Sequence, residues 1–69
     1  METFQIKGEY IQLNQLLKVL NWCEDGSHAN YIIDEGLVKV NGQTEKRRRN
    51  KIIPGAIVEF DGNKVEVTG

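Results

Sequence analysis

The chain opens on an alternation. Phe4 and Ile6 fall on one side of an extended segment and Thr3, Gln5 and Lys7 on the other, which predicts a short half-buried strand ended by Gly8. From Leu13 the period changes. Leu13, Leu16, Leu17 and Leu20 are spaced as the apolar stripe of one helix. Asn14 is the expected N-cap of that helix, with Leu13 packing at the position before it. Trp22 and Cys23 follow as core or hinge residues. Asp25-Gly26-Ser27 then opens a second helix, capped by Asp25 or Ser27, whose buried stripe is Ala29, Ile32 and Ile33. Gly36 stands where a left-handed C-terminal cap belongs.

After Gly36 the pattern turns to strands. Val38 and Val40 alternate with Leu37 and Lys39, and Asn41-Gly42 is a strong hairpin signal. Residues 43–51, Gln-Thr-Glu-Lys-Arg-Arg-Arg-Asn-Lys, carry no apolar face in either parity, so they form an exposed edge strand or a loop. Ile52-Ile53 returns to the core, and Pro54-Gly55 fits the central pair of a type II turn. Ala56 to Phe60 is a strand with either Ile57 inward or Ala56, Val58 and Phe60 inward. Asp61-Gly62-Asn63 turns again, and Val65 and Val67 form the last strand. This order predicts an α+β domain: two helices in the N-terminal half, packed on a small, twisted, mostly antiparallel sheet of about four or five short strands.

Composition narrows the function. A length of 69 residues, 39% hydrophobic and 28% charged, fits one globular domain spanning 1–69 and is too apolar for disorder. No run approaches the roughly 20 apolar residues of a membrane span. Met1-Glu2-Thr3-Phe4 lacks the basic and apolar regions of a signal peptide, so a cytoplasmic location is expected. Cys23 and His28 are single, which excludes an internal disulfide and a cysteine–histidine zinc cluster. The same two residues flank the turn into the second helix without a third group to orient a nucleophile. Glu24-Asp25 and Asp34-Glu35 are adjacent carboxylates that point apart on a helix. The glycines have turn or cap explanations and no phosphate-loop or dinucleotide spacing. Neither an enzyme, a cofactor nor a small-molecule substrate is expected.

Charge changes the picture more. Nine basic against ten acidic residues give a net charge of −1. Between Lys39 and Lys51, however, stand six cations (Lys39, Lys46, Arg47, Arg48, Arg49, Lys51) and only Glu45 as acid, a local +5 on a remainder of −6. A basic stripe on an acidic body is the electrostatic footprint of a face that binds a polyanion.

The motifs carry a resemblance. Gln12-Leu13-Asn14-Gln15-Leu16-Leu17-Lys18, then Ser27-His28-Ala29-Asn30-Tyr31-Ile32-Ile33, Gly36, Val38-Lys39-Val40-Asn41-Gly42 and Pro54-Gly55-Ala56-Ile57-Val58 follow one another at the spacing of a known domain. Over about residues 12–60 the chain resembles the RNA-binding domain named after ribosomal small-subunit protein four, the S-four domain. It is most similar to small stand-alone bacterial members, whose hairpin has Gly, Glu, two Arg, Lys and Ile where this chain has Gly42, Glu45, Arg47, Arg49, Lys51 and Ile52. The resemblance implies the αL-motif RNA-binding fold and non-catalytic binding of structured RNA, such as ribosomal or transfer-RNA-like RNA. The implied partner is a ribosomal subunit or assembly intermediate, met by a monomer. The family often has Arg where this chain has Gln12, Gly26 and Asn30. The helical half of the face is thus weakly charged, and the burden shifts to the hairpin.

Physical reasoning on the same residues gives a candidate site. If residues 45–51 run extended, Arg47, Arg49 and Lys51 share one side at about 6.5 Å intervals, near the spacing of successive phosphates. Arginine adds bidentate phosphate contacts. Glu45 is expected to orient Arg47. The second helix's N-terminus, with Ser27, His28 and Asn30, offers a second phosphate site beside the hairpin. The expected RNA-binding set is Ser27, His28, Asn30, Lys39, Asn41, Lys46, Arg47, Arg48, Arg49 and Lys51. Stacking on single strands is not expected, because Tyr10, Trp22 and Tyr31 lie outside the basic segment. Two alternatives stand beside this reading. One is a protein-interaction module with the hairpin on an acidic partner; the other is a β-grasp sulfur carrier, whose C-terminal Gly-Gly is reduced here to Val67-Thr68-Gly69.

Overall fold

The two leucine- and isoleucine-bearing stripes become helices because a sheet lies ready to cover them. A computed structural model describes all 69 residues. The elements run β1 (Glu2–Gln5), β2 (Ile11–Gln12), α1 (Leu13–Val19), α2 (Gly26–Asp34), β3 (Val38–Val40), β4 (Gln43–Thr44), β5 (Lys51–Ile52), β6 (Ile57–Phe60) and β7 (Asn63–Thr68). One mixed sheet has the order β1-β7-β6-β3-β4, and a second, two-stranded sheet joins β2 to β5. All pairings are antiparallel except β1 with β7, where Phe4 stands against Val67. The expected α+β architecture is therefore present, with one parallel pair at the sheet edge.

Strand parity places the core. On β6 the second of the two options holds: Ala56 and Val58 are buried and Phe60 packs on the core. Leu13, Leu16 and Leu17 of α1, and Ala29, Ile32 and Ile33 of α2, join Val38, Val58, Val65 and Val67 in one buried cluster. No polar or charged residue is buried. Every cation of the basic run is therefore left at the surface.

The turns follow their residues. Asn41 and Gly42 both take positive φ (53° and 83°), the type I′ geometry that matches the twist of a two-residue hairpin. Both helices end in the same double-bonded motif. For α2, Gly36 takes φ 74°, with Gly36 N–H donating to Ile33 O (3.0 Å) and Leu37 N–H to Ile32 O (3.1 Å). For α1 the left-handed residue is Asn21 (φ 59°), with Asn21 N–H on Lys18 O and Trp22 N–H on Leu17 O, both 3.0 Å. Asparagine tolerates that region better than other non-glycine residues, so it can end a helix as Gly36 does.

The start of α1 differs from expectation. Gln12, extended at φ −69° and ψ 143°, is the N-cap, and it makes no side-chain cap bond. Asn14 lies inside the helix, and Leu13 is its fully buried first residue. The first amides are satisfied from elsewhere: Leu13 N–H donates to Asn50 O (2.9 Å) and Asn14 N–H to Arg48 O (3.0 Å). Carbonyls of the basic segment thus do what a capping side chain does in most helices. At α2 the expected cap is present, the Asp25 carboxylate accepting from His28 N–H at 2.9 Å.

Candidate nucleic-acid interface

Between β4 and β5 the chain has nothing to bury, so polar contacts decide its path. Glu45 N–H donates to Val38 O (3.0 Å), continuing the hairpin by one residue. The Glu45 carboxylate, its side chain only 15% exposed, then gathers the loop. It accepts from the Arg47 amide (3.0 Å), from the Arg47 guanidinium (2.9 and 3.0 Å) and from the Asn50 side-chain amide (3.2 Å). The Arg47 guanidinium and these hydrogen bonds hold the Glu45 carboxyl below the usual carboxylate range. Arg48 and Arg49 form a turn, closed by Asn50 N–H on Arg47 O (3.2 Å). That turn points the Arg48 and Asn50 carbonyls at the open amides of α1.

The extended run expected over 45–51 is thus replaced by a turn, because the unpaired N–H groups of a helix end outcompete water for the loop's carbonyls. The separation of the two parities survives for this different reason. Arg47, Arg49, Asn50 and Lys51 line one open recess. Lys46 and Arg48 leave it for the C-terminal end of α2. The Lys46 stem crosses Gly36, where an added Cβ would meet its Cε at 3.2 Å. Arg48 makes a two-pronged pair with Asp34: its Nε lies 2.9 Å from Oδ1, and Nη2 contacts Oδ2. The hydrogen bond from Arg48 pulls the Asp34 carboxyl below its ordinary range.

The other expected site residues are dispersed. Lys39 lies in register with Glu59 and Thr44, on the sheet face opposite to buried Val38 and so away from the helices. Asn41 serves the fold, its Oδ1 accepting from Ile57 N–H at 2.9 Å. Asn30 is half-buried, and its Oδ1 accepts from the Asn14 side-chain amide at 3.4 Å. His28 turns back on its own helix end, its Nδ1 accepting from Glu24 N–H at 3.2 Å. Ser27 is exposed beside it. Contrary to the expected second phosphate site beside the hairpin, the N-terminus of α2 does not meet the basic loop. The loop contacts Asp34 and Gly36 at the other end of α2, about 12 Å away along eight residues of helix.

Two residues beside the candidate site escape a reading of the sequence. Asn50 gave no signal in the sequence; it lines the recess and binds Glu45. Tyr10 lies outside the basic segment in sequence, but pairing of β2 with β5 (Gln12 with Lys51, Ile11 with Ile52) brings it alongside. Lys51 Nζ stands 5.0 Å from the centre of the Tyr10 ring, a cation–π arrangement. The matching Ile11 and Ile52 were the only hint of that pairing.

Comparison with known proteins decides the family. The family model described as "S4 domain" matches residues 4–68. The chain belongs to the S4-domain family. The match extends the likeness seen over 12–60 to nearly the whole chain, and membership makes this a binding protein rather than an enzyme. It also sets aside the sulfur-carrier alternative. Among S4-domain relatives, YbcJ of Escherichia coli (strain K12) is 44% identical over 68 residues, covering 97% of each chain. A Bacillus subtilis (strain 168) protein named "Probable ribosome maturation protein RlbA" is 35% identical over 57 residues, covering 83% of this chain and 80% of its own. The solution structure of E. coli YbcJ superposes with a TM-score of 0.76 at 43% identity, covering all of this chain and 89% of that one. Its description speaks of an "alfaL motif involved in RNA-binding". No helix of this S4-domain chain is long and apolar enough to cross a membrane.

Proposed function

We propose that this protein binds structured RNA without catalysing a reaction, through the recess formed by Arg47, Arg49, Asn50 and Lys51. The observation that carries the reading is convergence: a turn held by Glu45 and by the end of α1 brings three cations of one parity around a single opening. Three cations at one opening suit consecutive phosphates of a folded backbone. They offer no ordered set of donors and acceptors for base edges, so recognition is by shape and backbone. Arg48 and Lys46 flank the recess, and Arg48 becomes a further contact when a phosphate displaces exposed Asp34. The description of the YbcJ structure supports RNA as the ligand. The name of the B. subtilis relative, a ribosome maturation protein, supports an assembling ribosomal subunit as the setting, and we propose that the protein meets its RNA there as a cytoplasmic monomer.

Salt dependence tests it. About four phosphate contacts give a log–log slope of binding against salt near −3 on a single strand and about −3.6 on a duplex. Filter binding to a folded ribosomal RNA fragment between roughly 50 and 200 mM salt should show this slope. A flat dependence, or no binding at the low end, would remove the reading.

A further inference from the structure

Beside the basic recess lies a second cleft that the backbone contacts leave unused. It is lined by Phe4, Gln5, Ile6, Lys7, Tyr10 and Ile11, with a volume of about 220 Å³. It is mostly apolar yet open, and Tyr10, one of its walls, is 42% exposed. Lys51 joins the two features, since it lines the recess and holds its ammonium over the Tyr10 ring.

We infer that this cleft receives one unpaired nucleobase of an RNA whose backbone lies in the basic recess. The inference rests on the RNA reading above and adds a substrate feature to it: a bulged or flanking nucleotide beside a helix. Three observations favour that occupant. The volume falls below the roughly 300–1,000 Å³ of clefts that enclose larger ligands, and suits a single planar heterocycle. The walls offer two aromatic rings, Phe4 and Tyr10, and aliphatic side chains, which stack on a base without reading its identity. Cations stand at the cleft, Lys7 in its wall and Lys51 at its border with the recess, as the phosphates on either side of an extruded nucleotide require. An apolar peptide would use the walls but not the two lysines or the continuity with the recess.

The test compares two RNAs, a fully paired hairpin and the same hairpin carrying one bulged 2-aminopurine. Wild-type protein should bind the bulged RNA about tenfold more tightly, within what stacking one base on an aromatic side chain supplies. The probe's emission should change on binding. Tyr10→Ala should remove both the preference and the emission change, costing several-fold more affinity for the bulged RNA than for the paired hairpin. Tyr10→Phe, which keeps the ring, should retain both. Equal binding of the two RNAs by wild type, or equal losses on both RNAs in a folded Tyr10→Ala protein, would overturn the cleft while leaving the backbone reading intact. Failure to bind either RNA at low salt would remove the backbone reading, and the cleft with it.

Discussion

Glu45 is the residue on which the site turns. It is the one acid within the basic segment, and its carboxylate touches the backbone of Arg47, the guanidinium of Arg47 and the amide of Asn50. Because the Arg47 guanidinium and its hydrogen bonds lower the Glu45 pKa on folding, its contribution is present above the free carboxyl's value and is lost as pH falls through the lowered one. Wild type should therefore melt at a higher temperature than Glu45→Gln at pH 7, and the two should converge as the pH falls through the lowered value. A constant difference from pH 7 to pH 2.5 would mean that the charge on Glu45 is not what holds the loop. The arginines permit a sharper contrast. Arg47→Glu with Arg49→Glu reverses two cations of the recess and should abolish most RNA binding. Lys46→Glu with Arg48→Glu changes the net charge equally, but removes only the flanking Arg48 contact, Lys46 acting through the screened long-range field, and should lose less. Equal losses at about 0.15 M salt would describe an unstructured polycation instead of a formed recess.

At the scale of elements, the basic loop and α1 depend on each other. A helix of seven residues without a side-chain cap is marginal by itself, and its first two amides are bonded to the loop. Filling the recess with RNA should restrain the loop and slow hydrogen exchange at the Leu13 and Asn14 amides more than at mid-helix positions. Two-dimensional NMR with and without RNA measures this; unchanged exchange at both amides would uncouple the loop from the helix. This coupling also marks the limit of what the sequence discloses. The helix stripes, the Asn41-Gly42 and Pro54-Gly55 turns and the Gly36 cap were legible because each depends on residues close in sequence. The pairing of β2 with β5 was not, since two-residue strands have no period to read. Nor was the turn at Arg48–Arg49, which depends on carbonyls reaching a helix more than thirty residues earlier. The cations of the site were therefore legible, but the path that gathers three of them and turns two away was not. Tyr10 went unrecognised for the same reason.

For the molecule as a whole, the core sets a narrow margin. A chain of this length has a net stability of about 3–10 kcal/mol, taking roughly 0.05–0.15 kcal/mol per residue. Leu17 is fully buried in the core cluster, so Leu17→Ala should cost about 2–5 kcal/mol, a large share of that total. In a domain of this size the melting temperature should fall by roughly 10 °C or more. Ile53→Ala, at a side chain 57% exposed, should move it by only a few degrees. Similar shifts from both substitutions would contradict the placement of the core.

The parallel pairing of β1 with β7 has a consequence for how the chain is made. Residues 2–5 find their sheet partners only at residues 65–68. As the polypeptide emerges during synthesis, the helices and the β3–β6 ladder can assemble as soon as Phe60 is available, whereas the first strand must wait for residues 65–68. Until then Phe4 and Ile6 lack their neighbours in β7, and the cleft they help to wall is incomplete. Closing contacts so distant in sequence is the slow kind of folding step. A nascent chain stalled before Val65 should therefore present the basic loop without the finished cleft, and emergence of β7 is the event that completes the sheet.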